Sequence, residues 1–201
     1  MDSFYSEEET KKLGFQMIGK NVKISRKACI YGAENIVIGN NVRIDDFCIL
    51  SGKIKVGDYI HIAAYSALYA GDAGIIIQDF TNISSKVVIY AVSDDYSGEY
   101  MTNPLIPEKY KNTIKKEVFI EENVIIGSGC TILPGVTLKE GSSFGSMSLV
   151  KNNSEPWSVN VGIPAKKIKD RKKQLLDLEK QFLEDEKTID KQNEVNIKVK
   201  R

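Results

Sequence analysis

The chain has 201 residues, and its 28 basic and 27 acidic side chains leave a formal net charge of +1. A balance this even gives no general electrostatic affinity for nucleic acid. The length fits one sizeable domain with appendages, and the absence of a signal-peptide run or spanning segment predicts a cytoplasmic protein without membrane insertion.

The first predicted element is a short helix within residues 1–17. Ser6 followed by Glu9 forms the pattern of a capping box that opens a helix running through Leu13. We expect this segment to cover the first unit of the repeats that follow, because the exposed end of a repeat array needs a cap.

Branched or large apolar residues then recur every six positions within each of several groups. A period of six matches neither the 3.6 of a helix nor the 2 of a simple strand. It is typical of a parallel β-helix, in which each repeat forms one flat side of a coil and each anchor points into a narrow core. The anchors are Ile18, Ile24, Ile30, Ile38, Ile44, Leu50, Val56, Ile62, Leu68, Ile77, Ile83, Ile89, Ile120, Ile126, Ile132, Leu138, Phe144 and Val150.

Small residues follow four places after most anchors. Cys48 and Cys130 hold two of these positions, where a thiol packs as a small hydrophobe, and the odd number of cysteines predicts a reducing compartment. Glycines come directly after several anchors, with asparagine and aspartate close behind, and we predict left-handed backbone angles for them at tight corners. These residues are Gly19, Gly39, Gly57, Gly127, Gly145, Asn40, Asn41, Asp58 and Asn123.

The repeat is interrupted once at length, over residues 91–117. This excursion has two prolines, three tyrosines and no periodicity. A loop this long inside a compact domain is usually functional or disordered, and its aromatic content between two regular coils favours function.

The last segment, residues 171–201, is predicted to be a helix and a tail. Leu175, Leu178 and Phe182 form an apolar stripe at helical spacing, which we expect to pack on the coils or on a neighbouring subunit. The predicted organisation is a cap over 1–17, a β-helix over 18–170 with the loop 91–117 inserted, and the C-terminal helix and tail.

The ladder, the loop and the phrase GIPAKKIK (162–169) together resemble the hexapeptide-repeat acyltransferases, with galactoside and maltose acetyltransferases as the general pattern. The FYSEEE opening (4–9) and the SDDYSGEY loop (93–100) are similar to bacterial N-acetyltransferases of nucleotide-linked amino-dideoxysugars used in surface polysaccharides. The resemblance implies a left-handed parallel β-helix that uses acetyl-CoA and requires no metal. It also implies a homotrimer, with active sites between subunits and a nucleotide-linked sugar as acceptor.

Three residues are candidates for the acid–base chemistry. His61, the only histidine, is expected to point outward between Arg43 and Asn82, and the unperturbed pKa of an imidazole, about 6.5, suits a general base. The alternative is a hydrogen-bonded surface histidine. In galactoside-type enzymes the catalytic histidine stands at the place held here by Asp94. Asp94 and Asp95 are therefore expected to orient an amine or accept its proton, with turn-forming aspartates as the alternative.

The missing loop histidine favours N-acetylation. A neutral amine is already nucleophilic, whereas a sugar hydroxyl needs deprotonation as it attacks. O-acetylation of a sugar hydroxyl is the alternative, and a non-catalytic scaffold is a remote one. One histidine per chain excludes the three-histidine zinc site of β-helical carbonic anhydrases.

The resemblance also implies residues that bind the donor and the acceptor. Ser128 and Ser146 are expected to meet the pantetheine amides, and Lys151, Lys166 and Lys167 to meet the CoA phosphates. The alternative for the lysines is a solvated basic stretch. The expected contacts to the acceptor are made by Asn82, Tyr96 and Tyr100.

Overall fold

A computed structural model describes residues 3–199, and the side chains of residues 3–188. The chain divides into two compact units, one up to Arg171 and one from Lys172 onward. The second unit contains helix α2 (Leu175–Val199), which continues through residues that the sequence assigned to the tail. No helix among the described residues is both long and apolar enough to cross a bilayer.

The first unit opens with helix α1 (Glu7–Lys12), and its predicted capping box is confirmed. The Ser6 hydroxyl accepts the Glu9 N–H at 3.3 Å, while the Glu9 carboxylate accepts the Ser6 N–H at 2.8 Å. Acidic residues fill the first turn and lysines the last, which suits the helix dipole.

Short parallel strands build most of this unit. In chain order they are β1 (Met17–Ile18), β2 (Lys23–Ile24), β3 (Cys29–Tyr31), β4 (Ile36–Ile38), β5 (Arg43–Ile44), β6 (Ile49–Val56), β7 (His61–Ile62), β8 (Ala67–Ile77), β9 (Asn82–Ile83), β10 (Val88–Tyr90), β11 (Val92–Ser93), β12 (Ile114–Lys115), β13 (Val118–Ile120), β14 (Ile125–Ile126), β15 (Thr131–Ile132), β16 (Thr137–Leu138), β17 (Ser143–Phe144), β18 (Leu149–Val150), β19 (Ser158–Val161) and β20 (Lys166–Asp170). Two 3-10 turns, Ala33–Asn35 and Glu108–Tyr110, lie between strands.

The strands stack into a solenoid of about seven turns with three faces. Face 1 is the eight-stranded sheet β2-β5-β7-β9-β14-β17-β19-β20. Face 2 carries β3, β10, β15 and β18, and face 3 carries β1, β4, β13 and β16. Strands β6 and β8 run through a corner and belong to both, so faces 2 and 3 form one ten-stranded sheet.

The core is the ladder that the six-residue period predicts. Every anchor is buried except Ile18 and Ile30, which pack against the buried cluster from the first coil. Cys48 and Cys130 are fully buried and free, and each thiol lies against a backbone carbonyl. Burial raises the pKa of the Cys48 thiol to about 11.

The five ladder glycines are required by contact between coils, so the prediction of left-handed angles is wrong for them. None of the five has a positive φ. A Cβ on Gly19 would lie 2.5 Å from the carbonyl oxygen of Gly39, and one on Gly39 would lie 2.5 Å from that of Gly57. A side chain at Gly19 or Gly39 would therefore push stacked backbones apart, whereas one at Gly145 would first meet the Val161 side chain.

The left-handed angles fall partly on other residues. Asn41 and Asn123 have positive φ as predicted, but Asn40 and Asp58 do not. These two residues instead link successive coils through their side chains. The Lys20 N–H donates to Asn40 Oδ1 at 2.9 Å, and the Asn40 N–H donates to Asp58 Oδ1 at 2.6 Å. The corners themselves hold aromatic residues with positive φ, namely Phe47, Tyr59, Tyr65, Phe80 and Trp157.

The ladder continues beyond its last predicted rung. Strand β19 pairs in parallel with β17 on face 1, and β20 returns antiparallel along β19. Trp157 is buried at this end, where its ring lies against Gly141. Trp157 thus packs the C-terminal end of the solenoid.

Candidate active site

The inserted loop begins and ends in a small antiparallel ribbon at the corner of faces 2 and 3. Val92 pairs with Lys115 and Ser93 with Ile114, so the two ends of the loop are joined at its base. The Lys116 N–H donates to the Ala91 carbonyl at 2.9 Å and closes the ribbon against the coil. Asp94 follows the ribbon directly, and its position is set by β11.

A cleft of about 750 Å³ lies between the loop and the outer side of face 2. Asp94 and Tyr96 line it from the loop, and Lys151 lines it from the end of β18. The Asp94 carboxylate makes no hydrogen bond or ion pair with any described side chain, and Tyr96 is 91% exposed. The remaining lining residues are Tyr90, Val92, Ser93, Ile114, Lys116, Thr131, Leu133, Pro134 and Leu149.

Asp95 has a different environment from its neighbour. Its carboxylate accepts the Ser97 N–H at 2.8 Å and the Asn112 amide at 3.2 Å. The hydrogen bonds, led by that of the Ser97 side chain, lower the pKa of Asp95 below its usual value. Its bonds hold the two halves of the loop together, which fits the turn-forming alternative for Asp95.

His61 lies on face 1, between Arg43 and Asn82 as predicted. Its Nε2 is 2.7 Å from Asp45 Oδ2, and Arg43 Nε donates to Asp45 Oδ1 at 2.6 Å. Burial opposes ionisation of Asp45, but these hydrogen bonds outweigh it and lower the pKa of the carboxyl. His61 is therefore oriented by a carboxylate, yet it is absent from the lining of the cleft.

Of the predicted donor-binding residues, the serines lie at corners of the solenoid and the lysines lie towards its C-terminal end. Ser128 lies 3.4 Å from the Ser85 hydroxyl, and Ser146 is exposed on the same corner one coil later. Lys166 and Lys167 line a second cavity of about 240 Å³ with Asn152, Asn153 and Ser154.

Lys167 has acidic partners, whereas its neighbour Lys166 and the cleft residue Lys151 have none among the described residues. Lys167 Nζ is 2.6 Å from Glu155 and 2.8 Å from Asp170, and these partners raise its pKa to about 12. Lys151 and Lys166 form no ion pair with the described residues. Lys151 and Lys166 thus offer charge that no carboxylate of the described chain offsets.

The structure brings Asp94, Tyr96 and Lys151 into one cleft and leaves the other candidates elsewhere. Asn82 stays beside His61 on face 1, and Tyr100 lies half-exposed in the loop. Within the described residues, no group of three or more histidine, cysteine, aspartate or glutamate side chains is arranged to hold a metal ion.

No family model matches the chain. Among curated proteins it is 51% identical to dTDP-4-amino-4,6-dideoxy-D-glucose acyltransferase from Escherichia coli, over 90% of this chain and 95% of that one. It is 31% identical to the putative lipopolysaccharide biosynthesis O-acetyl transferase WbbJ from Escherichia coli K12, over 75% of this chain and 80% of that one.

Among solved structures, the chain is similar to AntD, an N-acyltransferase from Bacillus cereus. The D94A variant of AntD in complex with dTDP and coenzyme A superposes with a TM-score of 0.91 at 52% identity, covering 92% of this chain and 100% of that one. The S84A variant, in complex with dTDP-4-amino-4,6-dideoxyglucose and coenzyme A, gives the same score. Galactoside acetyltransferase shares the fold at 23% identity and a TM-score of 0.57. The predicted left-handed β-helix is confirmed.

The D94A and S84A variants of AntD alter an aspartate and a serine at those positions of that enzyme. This chain has serine at position 84 as well as aspartate at position 94. Ser84 follows β9 at a corner, and its carbonyl accepts the Ser66 hydroxyl at 3.0 Å. Serine is a common corner residue, so no signal in the sequence separates Ser84 from Ser85 or Ser128.

Proposed function

The chain belongs to the hexapeptide-repeat sugar acyltransferases, and we propose that it transfers an acyl group from acyl-CoA to the amino group of a dTDP-linked amino-dideoxysugar. The main structural support for this proposal is the cleft that Asp94, Tyr96 and Lys151 line together. The cleft lies in a chain that matches an N-acyltransferase over that enzyme's whole length.

The reaction requires one nucleophilic attack and two proton movements. The sugar nitrogen attacks the thioester carbonyl carbon, the C–N bond forms, and the C–S bond breaks as the tetrahedral intermediate collapses. The nitrogen loses a proton, and the departing CoA thiolate gains one. Asp94 is the base in this scheme, because its carboxylate has no partner among the described side chains and faces the cleft at the end of a fixed strand.

The geometry favours Asp94 over His61 as the base. His61 is held by Asp45 on face 1 and does not line the cleft. AntD was crystallised as D94A and S84A variants with dTDP ligands and coenzyme A, which supports an aspartate and a serine at these positions as parts of the site. We assign Ser84 to the acceptor on this basis, and Tyr96 because it lines the same cleft as Asp94.

The donor is held by charge at the C-terminal end. Lys151 and Lys166 are the lysines best placed for the CoA phosphates, since no carboxylate of the described chain pairs with them. Lys167 contributes less, because Glu155 and Asp170 already offset its charge. Ser128 and Ser146 remain our assignments for the pantetheine amides.

We infer a cytoplasmic homotrimer that acts in surface-polysaccharide synthesis. A solid β-helix has no internal pocket, so an open cleft beside a loop is suited to completion by a second subunit. The similarity to a putative lipopolysaccharide O-acetyl transferase supports the polysaccharide context. Acetyl-CoA is the expected donor.

The test pairs two acceptors that differ in one group. The purified chain is incubated with acetyl-CoA and either dTDP-4-amino-4,6-dideoxyglucose or dTDP-6-deoxyglucose, which has a hydroxyl where the first has the amine. We expect thiol release and an alkali-stable amide product with the amino sugar only. Turnover confined to the hydroxyl sugar, with an alkali-labile ester product, would contradict N-acylation and support the O-acyl alternative.

The base is tested in the same assay. Asp94→Asn keeps the size of the side chain and removes its basicity, so we expect kcat to fall by about 10²- to 10⁴-fold. His61→Asn should reduce kcat far less. The reverse order would assign the base to His61.

A further inference from the structure

Strand β8 contains a corner extension, Gly71–Gly74, that the six-residue ladder does not require. The corresponding corner of β6 turns within Gly52 and Lys53, and the β6–β8 pairing shifts register there. Gly52 is paired with Gly71 in the register of these two strands. At this corner Gly71 and Asp72 are exposed while Gly74 is buried, and the corner contacts Val92 and Lys115 at the base of the inserted loop.

Three residues stack at this corner without space between them. A Cβ on Gly52 would lie 2.5 Å from the Gly71 nitrogen, so the two backbones are in direct contact. A Cβ on Gly71 would lie 2.5 Å from Cγ2 of Val92, the first residue of β11. Gly71 thus supports the ribbon from below at van der Waals distance.

The other strand of the ribbon is held by the same extension. Lys115 Nζ, from β12, is 3.2 Å from Asp72 Oδ2. Asp72 is 90% exposed, so this pair adds little stability by itself. The pair does orient β12 relative to the corner. Gly74 also lies close to Glu117, just beyond β12, since a Cβ on Gly74 would be in ordinary contact with it at 3.6 Å.

We propose that Gly71 and Asp72, within the corner extension, form a positioning element, which seats the β11–β12 ribbon so that Asp94 faces the cleft. The inference rests on the proposed role of Asp94. Only Ser93 separates Val92 from Asp94, so a shift of the Val92 backbone passes directly to the carboxylate. A misplacement of about 1 Å can cost about 10²-fold in rate.

Gly71→Ala tests the contact. The Val92 side chain cannot rotate away from the new methyl group at low cost, because a valine in a strand is stiff at χ1. We expect kcat to fall at least about tenfold while KM for acetyl-CoA stays within about twofold, since Lys151, which follows β18, and Lys166, in β20, are not carried by the ribbon. Adding Val92→Ala, which removes Cγ2, should restore kcat to the value of Val92→Ala alone.

Gly14→Ala is the matched control for backbone strain. Gly14 also has a positive φ, +79° against +50° at Gly71, but nothing lies within 4 Å of its Cβ position. Gly14→Ala should lose stability and keep the wild-type kcat. An equal loss of kcat in both alanine variants would mean that strain, and not the contact with Val92, is responsible.

The two proposals fail in different ways. In an Asp94→Asn background, Gly71→Ala should cause no further loss of kcat, because the carboxylate it positions is gone. A wild-type kcat in Asp94→Asn would overturn the proposed base. A wild-type kcat in Gly71→Ala, with Asp94→Asn impaired, would overturn only the positioning inference.

A surface variant covers the case in which Gly71→Ala does not fold. Asp72→Lys places two lysines face to face at an exposed position, and we expect kcat to fall severalfold. The swapped pair Asp72→Lys/Lys115→Asp should recover it. An unchanged kcat in Asp72→Lys, or no recovery in the swapped pair, would overturn the inference.

Discussion

Substitution of Gly39 by alanine should be among the most destabilising single changes in the solenoid. The Gly39 N–H donates to Val56 at 2.8 Å, and the next residue, Asn40, bonds Asp58 in the same adjacent coil. A Cβ on Gly39 would meet the Gly57 carbonyl oxygen at 2.5 Å, whereas ordinary contact begins at 3.4 Å. The two coils must therefore separate by several tenths of an ångström at least.

The expected cost follows from what blocks the methyl group. Overpacking a well-packed site costs about 1–3 kcal/mol, and the upper end applies here because the obstacle is backbone. For a chain of this size, each kcal/mol lowers Tm by about 2–4 °C, so a loss of about 3 kcal/mol corresponds to about 6–12 °C. Thermal unfolding followed by circular dichroism measures it.

Gly145→Ala is the matched comparison, since Gly145 also has no positive φ. Its Cβ would meet Cγ1 of the Val161 side chain at 2.8 Å, while the nearest backbone atom, the Asn160 carbonyl oxygen, lies at an ordinary 3.8 Å. We expect Gly145→Ala to lower the free energy of unfolding by about 1 kcal/mol, and the addition of Val161→Ala to restore it. Equal losses in Gly39→Ala and Gly145→Ala, or a wild-type Tm in Gly39→Ala, would refute the backbone contact as the reason for the ladder glycines.

Three further predictions concern single side chains. The folded-state pKa of Asp45 is lowered, so this carboxylate stabilises the fold above its unfolded pKa, about 4. Its contribution is lost as the pH falls through the folded-state value. We therefore expect the Asp45→Asn variant to be less stable than the wild type at neutral pH and, in acid unfolding, its stability to depend less on pH below about 4. Exposed Cys29 should react rapidly with a thiol reagent at pH 8, whereas buried Cys48, with its pKa raised to about 11, should react only on unfolding. Rapid labelling of both cysteines would contradict the burial of Cys48. Lys166→Ala should raise KM for acetyl-CoA by up to about fivefold, ~1 kcal/mol, and Lys167→Ala by less; the opposite order would contradict the charge assignment.

The coil architecture is predictable from sequence because its signal is local. Each anchor repeats its own environment six residues later, so Ile83 or Ile126 can be placed in the core without knowledge of the rest of the chain. The roles of the ladder glycines are not predictable in the same way. Gly39 is required by the backbone of a coil 18 residues later, and a single-sequence pattern contains no measure of that distance.

The candidate site is predictable only in part. The break in the ladder indicates Asp94, since a long aromatic loop in a regular solenoid is unusual. The separation of Asp94 from His61 depends on which face each residue occupies, and the different environments of Asp94 and Asp95 depend on Ser97 and Asn112. These contacts form across the loop, where the sequence has no periodicity from which to infer them.

In the proposed mechanism, Asp94 accepts the proton of the attacking sugar amine. A crystal structure of the chain with coenzyme A and dTDP-4-amino-4,6-dideoxyglucose tests it most directly, through the distance between the sugar amine and the nearest carboxylate oxygen. We expect a direct hydrogen bond from the amine to Asp94, about 2.6–3.2 Å long, or one bridged by a single water. An amine held within that distance of His61, with Asp94 directed away from the sugar, would contradict it.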